Sequence, residues 1–178
     1  NEENICAETH KKLKSKYKNL LTIIIPRHIQ RANKIKNEIQ KLSLKVHMHN
    51  SQKQIHPQTD IYLVNSFGQT KSFFKICKTV FLGGSIIKHG GQNPLEAVRY
   101  GCNVIHGPNI WNFEEIYSLL KKHEVSNKIM NSSQLTTKID KILSMKNNSK
   151  NIEIKINKLG DKILNSTFNE INYFINYQ

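Results

Sequence analysis

The stretch from Gly83 to Glu96, Gly-Gly-Ser-Ile-Ile-Lys-His-Gly-Gly-Gln-Asn-Pro-Leu-Glu, is the part of the chain best equipped to hold a ligand. Four glycines in nine residues, at 83, 84, 90 and 91, let the backbone approach a bound group closely, because no Cβ stands in the way. Asn93, Pro94 and Glu96 then read as a helix cap, a proline at the first helical position and a carboxylate at the third. Such a helix start is expected to present free N–H groups to an anion such as phosphate.

Arg27 follows the strand-ending Pro26, so its guanidinium is placed to grip a phosphate or carboxylate through paired hydrogen bonds, although a surface arginine at a strand end would look the same. Glu96 could accept hydrogen bonds from two neighbouring ribose hydroxyls, a role compatible with a capping box shared with Asn93. Phe67 and Gly68 stand at another helix entry, where Phe67 could flank a base; a plain turn accounts for them equally. Lys88 and His89 lie on the loop as contacts for an anion or as a solvated tip. His47 and His49 are two apart on a strand and share a face, but no carboxylate is near them in sequence, so no metal site is expected. A Ser-His-Asp order, a Gly-x-Ser-x-Gly elbow and a Walker motif are all missing, and nothing names a nucleophile or general base. The expectation is a domain that holds a ligand, with no catalytic residue and no cofactor.

The elements that position these residues alternate. Asn4 to Tyr17 reads as a surface helix, Leu20 to Ile25 as a buried strand, Gln30 to Leu42 as a crossover helix, and Leu44 to Met48 and Asp60 to Val64 as strands around a polar loop. A helix over about Gln69 to Ile76, a strand at Thr79 to Leu82, a helix from Pro94 to Tyr100 and a strand at Asn103 to His106 follow. A helix from about Asn112 to Lys122, a short strand at Ser126 to Met130 and a helix at Ser133 to Leu143 complete the pattern. Strands separated by helices predict an α/β fold: a Rossmann-like parallel sheet with helices on both faces. Ligands of such sheets bind at the carboxyl ends of the strands, which collects Arg27, Gly68, the glycine-rich loop and Gly107-Pro108 onto one rim. Residues 1–143 read as this domain; residues 144–178 read as a Lys/Asn-rich linker followed by one or two amphipathic helices that must dock on this domain or another.

The 178 residues suffice for a core without disulfides or metals. A net charge of +14 and pI near 9.7 point to an anionic partner such as nucleic acid, acidic lipid or a phosphorylated substrate. Nearly all of it is scattered lysine, with arginine only at Arg27, Arg31 and Arg99, so a specific nucleic-acid site is poorly supported. The abundance of Lys, Asn and Ile also fits the drift of an AT-rich genome. Cys6, Cys77 and Cys102 form no Cys-x-x-Cys pair and read as buried thiols in a reducing cytosol. No run is long enough to span a bilayer.

Several segments together resemble the C-terminal half of the 3-deoxy-D-manno-octulosonic acid (Kdo) transferases: Ile-Pro-Arg-His at Ile25 to His28, Asp-Ile-Tyr-Leu-Val-Asn-Ser-Phe-Gly at Asp60 to Gly68, Phe-Leu-Gly-Gly-Ser at Phe81 to Ser85, His-Gly-Gly-Gln-Asn-Pro-Leu-Glu at His89 to Glu96, and Gly-Pro-Asn-Ile-Trp-Asn-Phe at Gly107 to Phe113. The resemblance runs to about Leu143. It implies the C-terminal half of a two-domain GT-B glycosyltransferase that moves Kdo from CMP-Kdo to the lipid A precursor in lipopolysaccharide synthesis. The implied setting is the cytoplasmic face of the Gram-negative inner membrane, as a peripheral protein. By motif, CMP would fall to Pro26 and Arg27, to Phe67, Gly68 and Gln69, and to Asn93, Pro94, Leu95 and Glu96, with His28, Gly84, Ser85, Lys88 and His89 as further contacts. Phe67-Gly68-Gln69 departs from the family's usual Met-Gly-Glu, removing a negative charge but keeping the glycine. The family's N-terminal domain, with its catalytic acidic residue and acceptor site, is not in this sequence, so the chain by itself is expected not to transfer sugar. A basic nucleic-acid- or anion-binding module without catalysis is the other reading.

Overall fold

The computed structural model describes residues 2–145 and 148–176. Among the described residues there are six strands: β1 (Thr22–Ile24), β2 (Val46–Met48), β3 (Ile61–Leu63), β4 (Thr79–Leu82), β5 (Asn103–His106) and β6 (Ser126–Lys128). Between and around them lie α1 (Glu2–Lys14), α2 (Ala32–Gln40), α3 (Thr70–Ile76), α4 (Leu95–Arg99), α5 (Glu114–Lys122), α6 (Ser132–Ser144) and α7 (Ser149–Asn176). All strand pairs are parallel, as the alternation of elements requires. They form two three-stranded sheets rather than one, in the orders β1-β3-β2 and β4-β5-β6. The expected strand at Leu20 to Ile25 shortens to three residues, since only Thr22 to Ile24 find ladder partners on β3 and Leu21 is exposed.

Alternation along the strands explains the layers. In the second sheet, Val104 and Leu82 face one core with Ala97, Val98, Tyr117, Leu120, Ile152 and Ile156. Their neighbours Ile105 and Phe81 face the opposite core with Leu135, Ile139 and Ile142. Helices α4, α5 and the start of α7 thus cover one face, and α6 the other. In the first sheet, Ile24, Ile61 and Leu63 pack under Ala32, Ile35 and Ile39, whose spacing of three and four puts them on one face of α2. The other face carries an aromatic group: Tyr62 stacks on His47 at 5.4 Å between ring centres and touches Phe73 of α3 at 5.8 Å.

Helix α1 joins the two halves. Ala7 and Cys6 enter the core of the first sheet, while Ile5 packs against the core beneath α6. Farther along, Tyr17 donates its hydroxyl to Asp140 at 2.6 Å, and Lys16 pairs with the same carboxylate at 2.7 Å. Helix α6 is fixed at its start by Asn131, whose side chain accepts from the Gln134 N–H at 3.0 Å, and Gln134 accepts in turn from the Met130 N–H. α7 is a single helix from Ser149 to Asn176. Its first turns bury Ile152 and Ile156, so the folded core draws on residues past 144. From residue 161 to 176 every position is exposed, including Phe168, Ile171 and Phe174. Lys146 and Asn147, within the expected linker, lie outside the described residues. Among the described residues, no helix is long and apolar enough to cross a membrane.

Candidate functional site

The direction of α1 settles that both sheets present their carboxyl ends on the same side. Glu2, at its start, reaches the loop that leaves β4, and Glu3 pairs with Arg31, in the turn that follows β1, at 3.1 Å. Eight residues on, about 12 Å along the axis, buried His10 meets Thr22 at the amino end of β1, with Nδ1 2.9 Å from the hydroxyl. The start of α1 therefore sits where the two rims meet, and the residues after β1, β3, β4 and β5 face one side.

On that rim Pro26 is buried, whereas Arg27 and His28 are exposed. Among the described residues Arg27 has no ion pair or side-chain hydrogen bond. After β3, Phe67 is 70% exposed, and Gly68 takes a positive φ of 78° with nothing within 4 Å of the place a Cβ would occupy. Gln69 is half-buried at the entry to α3 and makes no side-chain cap. After β4 the chain turns through Gly83 to Gly91 with Lys88 and His89 exposed at its tip. Gly90, at φ 83°, lets the ring of Trp111 come so near that a Cβ there would lie 2.8 Å from Nε1. Asn93 caps α4 by accepting from the Leu95 N–H at 2.9 Å, with Pro94 buried and Leu95 half-buried behind it. The reciprocal half of the expected capping box is not formed: Glu96 points its carboxylate outward, unpaired among the described residues. Arg27, Phe67, Gly68, Lys88, His89 and Glu96 are thus all open to a ligand.

The glycine-rich turn differs from the free cradle its sequence suggests. Its amides are already engaged, because both oxygens of the buried Glu2 carboxylate accept from it: Ser85 N–H at 3.1 Å, Ile86 N–H at 2.7 Å, Ile87 N–H at 3.4 Å, and the Gly84 N–H. Ser85 is wholly buried; its hydroxyl donates to Leu82 O at 2.6 Å and accepts from the Gly107 N–H at 2.8 Å. Gly84 and Ser85 therefore shape the rim from below rather than standing open at its surface. The sequence carried only a weak signal for this: an acidic pair at a helix start reads as a favourable interaction with the helix dipole.

The histidines elsewhere are structural. His49 Nδ1 lies 2.8 Å from the Tyr62 hydroxyl, and His47 Nε2 lies 3.4 Å from Ser51 Oγ. Among the described residues no three His, Cys, Asp or Glu side chains gather to hold a metal ion. His106, buried against the Tyr117 ring, and His10 are both held below the ordinary imidazole value, chiefly by burial. Of the cysteines, Cys102 is fully buried and its thiol is pushed up to about 12 by burial; Cys6 and Cys77 are half-buried.

No family model matches the chain. Among curated proteins, it is 34% identical over 119 residues to the 3-deoxy-D-manno-octulosonic acid transferase of Haemophilus influenzae, covering 67% of this chain and 28% of that protein. It is 26% identical over 174 residues to the enzyme of the same name from Aquifex aeolicus, covering 98% of this chain and 46% of the relative. The chain thus spans less than half the length of these relatives. Among solved structures, its fold matches the C-terminal CMP-Kdo binding domain of WaaA from Acinetobacter baumannii with a TM-score of 0.77 at 23% identity, over 85% of this chain and 79% of that one. Sequence and fold agree that the chain is a relative of the C-terminal domain of the Kdo transferases.

Proposed function

We infer that the chain is the CMP-Kdo-binding part of a Kdo transferase, a GT-B enzyme that moves Kdo from CMP-Kdo to the lipid A precursor. The observation that carries the reading is the agreement of two likenesses: the sequence follows Kdo transferases, and the fold follows a domain described as binding CMP-Kdo. The rim has the chemistry this ligand needs. Arg27, exposed and unpaired among the described residues, would hold the CMP phosphate. The open carboxylate of Glu96 would accept from ribose hydroxyls, and Phe67 with Gly68 would flank the cytosine. Pro26, Gln69, Asn93, Pro94 and Leu95 would set the backbone around these groups, and His28, Lys88 and His89 would line the edge.

Transfer itself would need the part of the relatives that this chain does not match, which would supply the catalytic acidic residue and the acceptor site. Residues 1–143 would then act as the donor-binding unit, and residues 144–178 as a separate arm anchored through Ile152 and Ile156. The +14 charge would serve at the cytoplasmic face of an inner membrane, where anionic headgroups attract lysine. The test is a calorimetric titration of the wild type and Arg27→Ala with CMP. Saturable binding that weakens in the variant supports the assignment; equal affinity in both removes Arg27 from the phosphate.

A further inference from the structure

We propose that Glu2 is a positioning residue for the donor rim: its carboxylate is the fixed anion of the N–H nest at Gly84 to Ile87, and it holds the glycine-rich loop in shape. The consequence for binding rests on the CMP reading above. The tie itself rests on geometry.

Four consecutive amides converge on one carboxylate from 82 to 85 residues away in the chain. Glu2 is only 8% exposed, and among the described residues no lysine or arginine pairs with its carboxylate. Burying a carboxylate without compensation is costly, and these charge-assisted bonds supply compensation beyond the favourable helix-start position of Glu2. Glycine at 83 belongs to the same arrangement, since a Cβ there would come 3.1 Å from Glu2 Oε2. Glu3 next door has a different partner, Arg31, so the two acidic residues at the start of α1 divide between the two rims.

The other side of the same peptide units faces the ligand-binding segments. Gly84 O accepts from the Gly91 N–H at 2.9 Å, directly before the segment Asn93 to Glu96. Ser85 O accepts from the Asn109 N–H and Ile86 O from the Asn109 side chain, each at 2.8 Å, which fastens the loop to Gly107 through Asn112. Glu2 on one side and these carbonyl bonds on the other fix the loop from both directions. Without the carboxylate, four amides lose their partner and the turn relaxes, carrying Gly91 to Glu96 and Asn109 to Asn112 with it. A second consequence concerns charge: with its amides engaged, the nest is not free for the donor phosphate, whose charge falls to Arg27.

The experiment compares wild type, Glu2→Gln and Glu2→Ala. Glu2→Gln preserves volume and one acceptor oxygen, and it decides the matter if Glu2→Ala fails to fold. Amide exchange at Gly84 to Ile87 should quicken by roughly tenfold or more in the alanine variant and less in the glutamine variant. CMP affinity should weaken by about tenfold. Added acetate should reverse both effects in Glu2→Ala and do nothing to the wild type, a rescue that a merely structural side chain would not show. Unchanged exchange at these amides in both variants overturns the proposal, as does normal CMP affinity despite rapid exchange. If the wild type binds no CMP, the donor reading falls, and the exchange and acetate results alone uphold or overturn the tie.

Discussion

An exposed guanidinium beside a buried proline, in no ion pair among the described residues, would be open to an anion that a ligand brings. Losing a charge-assisted pair of this kind costs about 1.5–3 kcal/mol, so Arg27→Ala should weaken CMP by roughly ten- to a hundredfold. Arg27→Lys should recover only part of this, because an ammonium cannot grip two phosphate oxygens in one plane; calorimetry of the three proteins checks the order. The histidines predict a pH response of stability. His10 and His106 have imidazole values below 6.5 when folded, so folding favours their neutral forms. Their contribution is present above about pH 6.5 and is lost as pH falls through the folded values. Asp60 adds to the same acid side: burial alone would raise it, but the Lys45 N–H, Lys14 and His10 hold it below the ordinary carboxylate value. Urea midpoints should therefore fall on acidification, and His10→Gln should flatten the part of that slope near pH 6.5. An equal slope in the variant would show that His10 does not contribute.

At the level of elements, α7 divides into a docked start and a free remainder. Truncating Ile152, buried among Ala97, Val98 and Leu120, to alanine should cost about 2–5 kcal/mol of unfolding free energy. The same truncation of Phe174, 66% exposed, should stay within about 0.5 kcal/mol. Chemical denaturation of the two variants would separate these cases, and a large loss for Phe174→Ala would contradict the separation. The apolar spacing of α2, α5 and α6 made those helices legible, and short β-branched runs marked the strands. The division into two sheets was not legible, because composition does not say which strand edges pair. The reach of Glu2 to Gly84 was hidden for a related reason, since it joins residues 82 apart whose local preferences say nothing of one another. α7 reads as one helix through Gly160, where an expected cost of about 1 kcal/mol did not break it. On the rim, Arg27 and Glu96 were legible as strand-end and helix-start residues, whereas the outward turn of Glu96 away from Asn93 needed coordinates.

For the whole molecule, α1 ties two parallel sheets so that their carboxyl ends form a single face, and that face carries the open polar groups. The chain's +14 charge would draw in many anions, so binding of a phosphate as such says little about what the rim recognises. Discrimination among bases says more, because the phosphate and ribose are shared and only the flanking of the ring differs. The most direct measurement is a calorimetric titration of the chain with CMP, AMP and UMP at matched ionic strength, followed by a repeat at raised salt. Saturable binding of CMP, tighter than that of AMP or UMP and persisting at the higher salt, is the predicted result. Equal, steeply salt-dependent binding of all three, or none, would contradict the account.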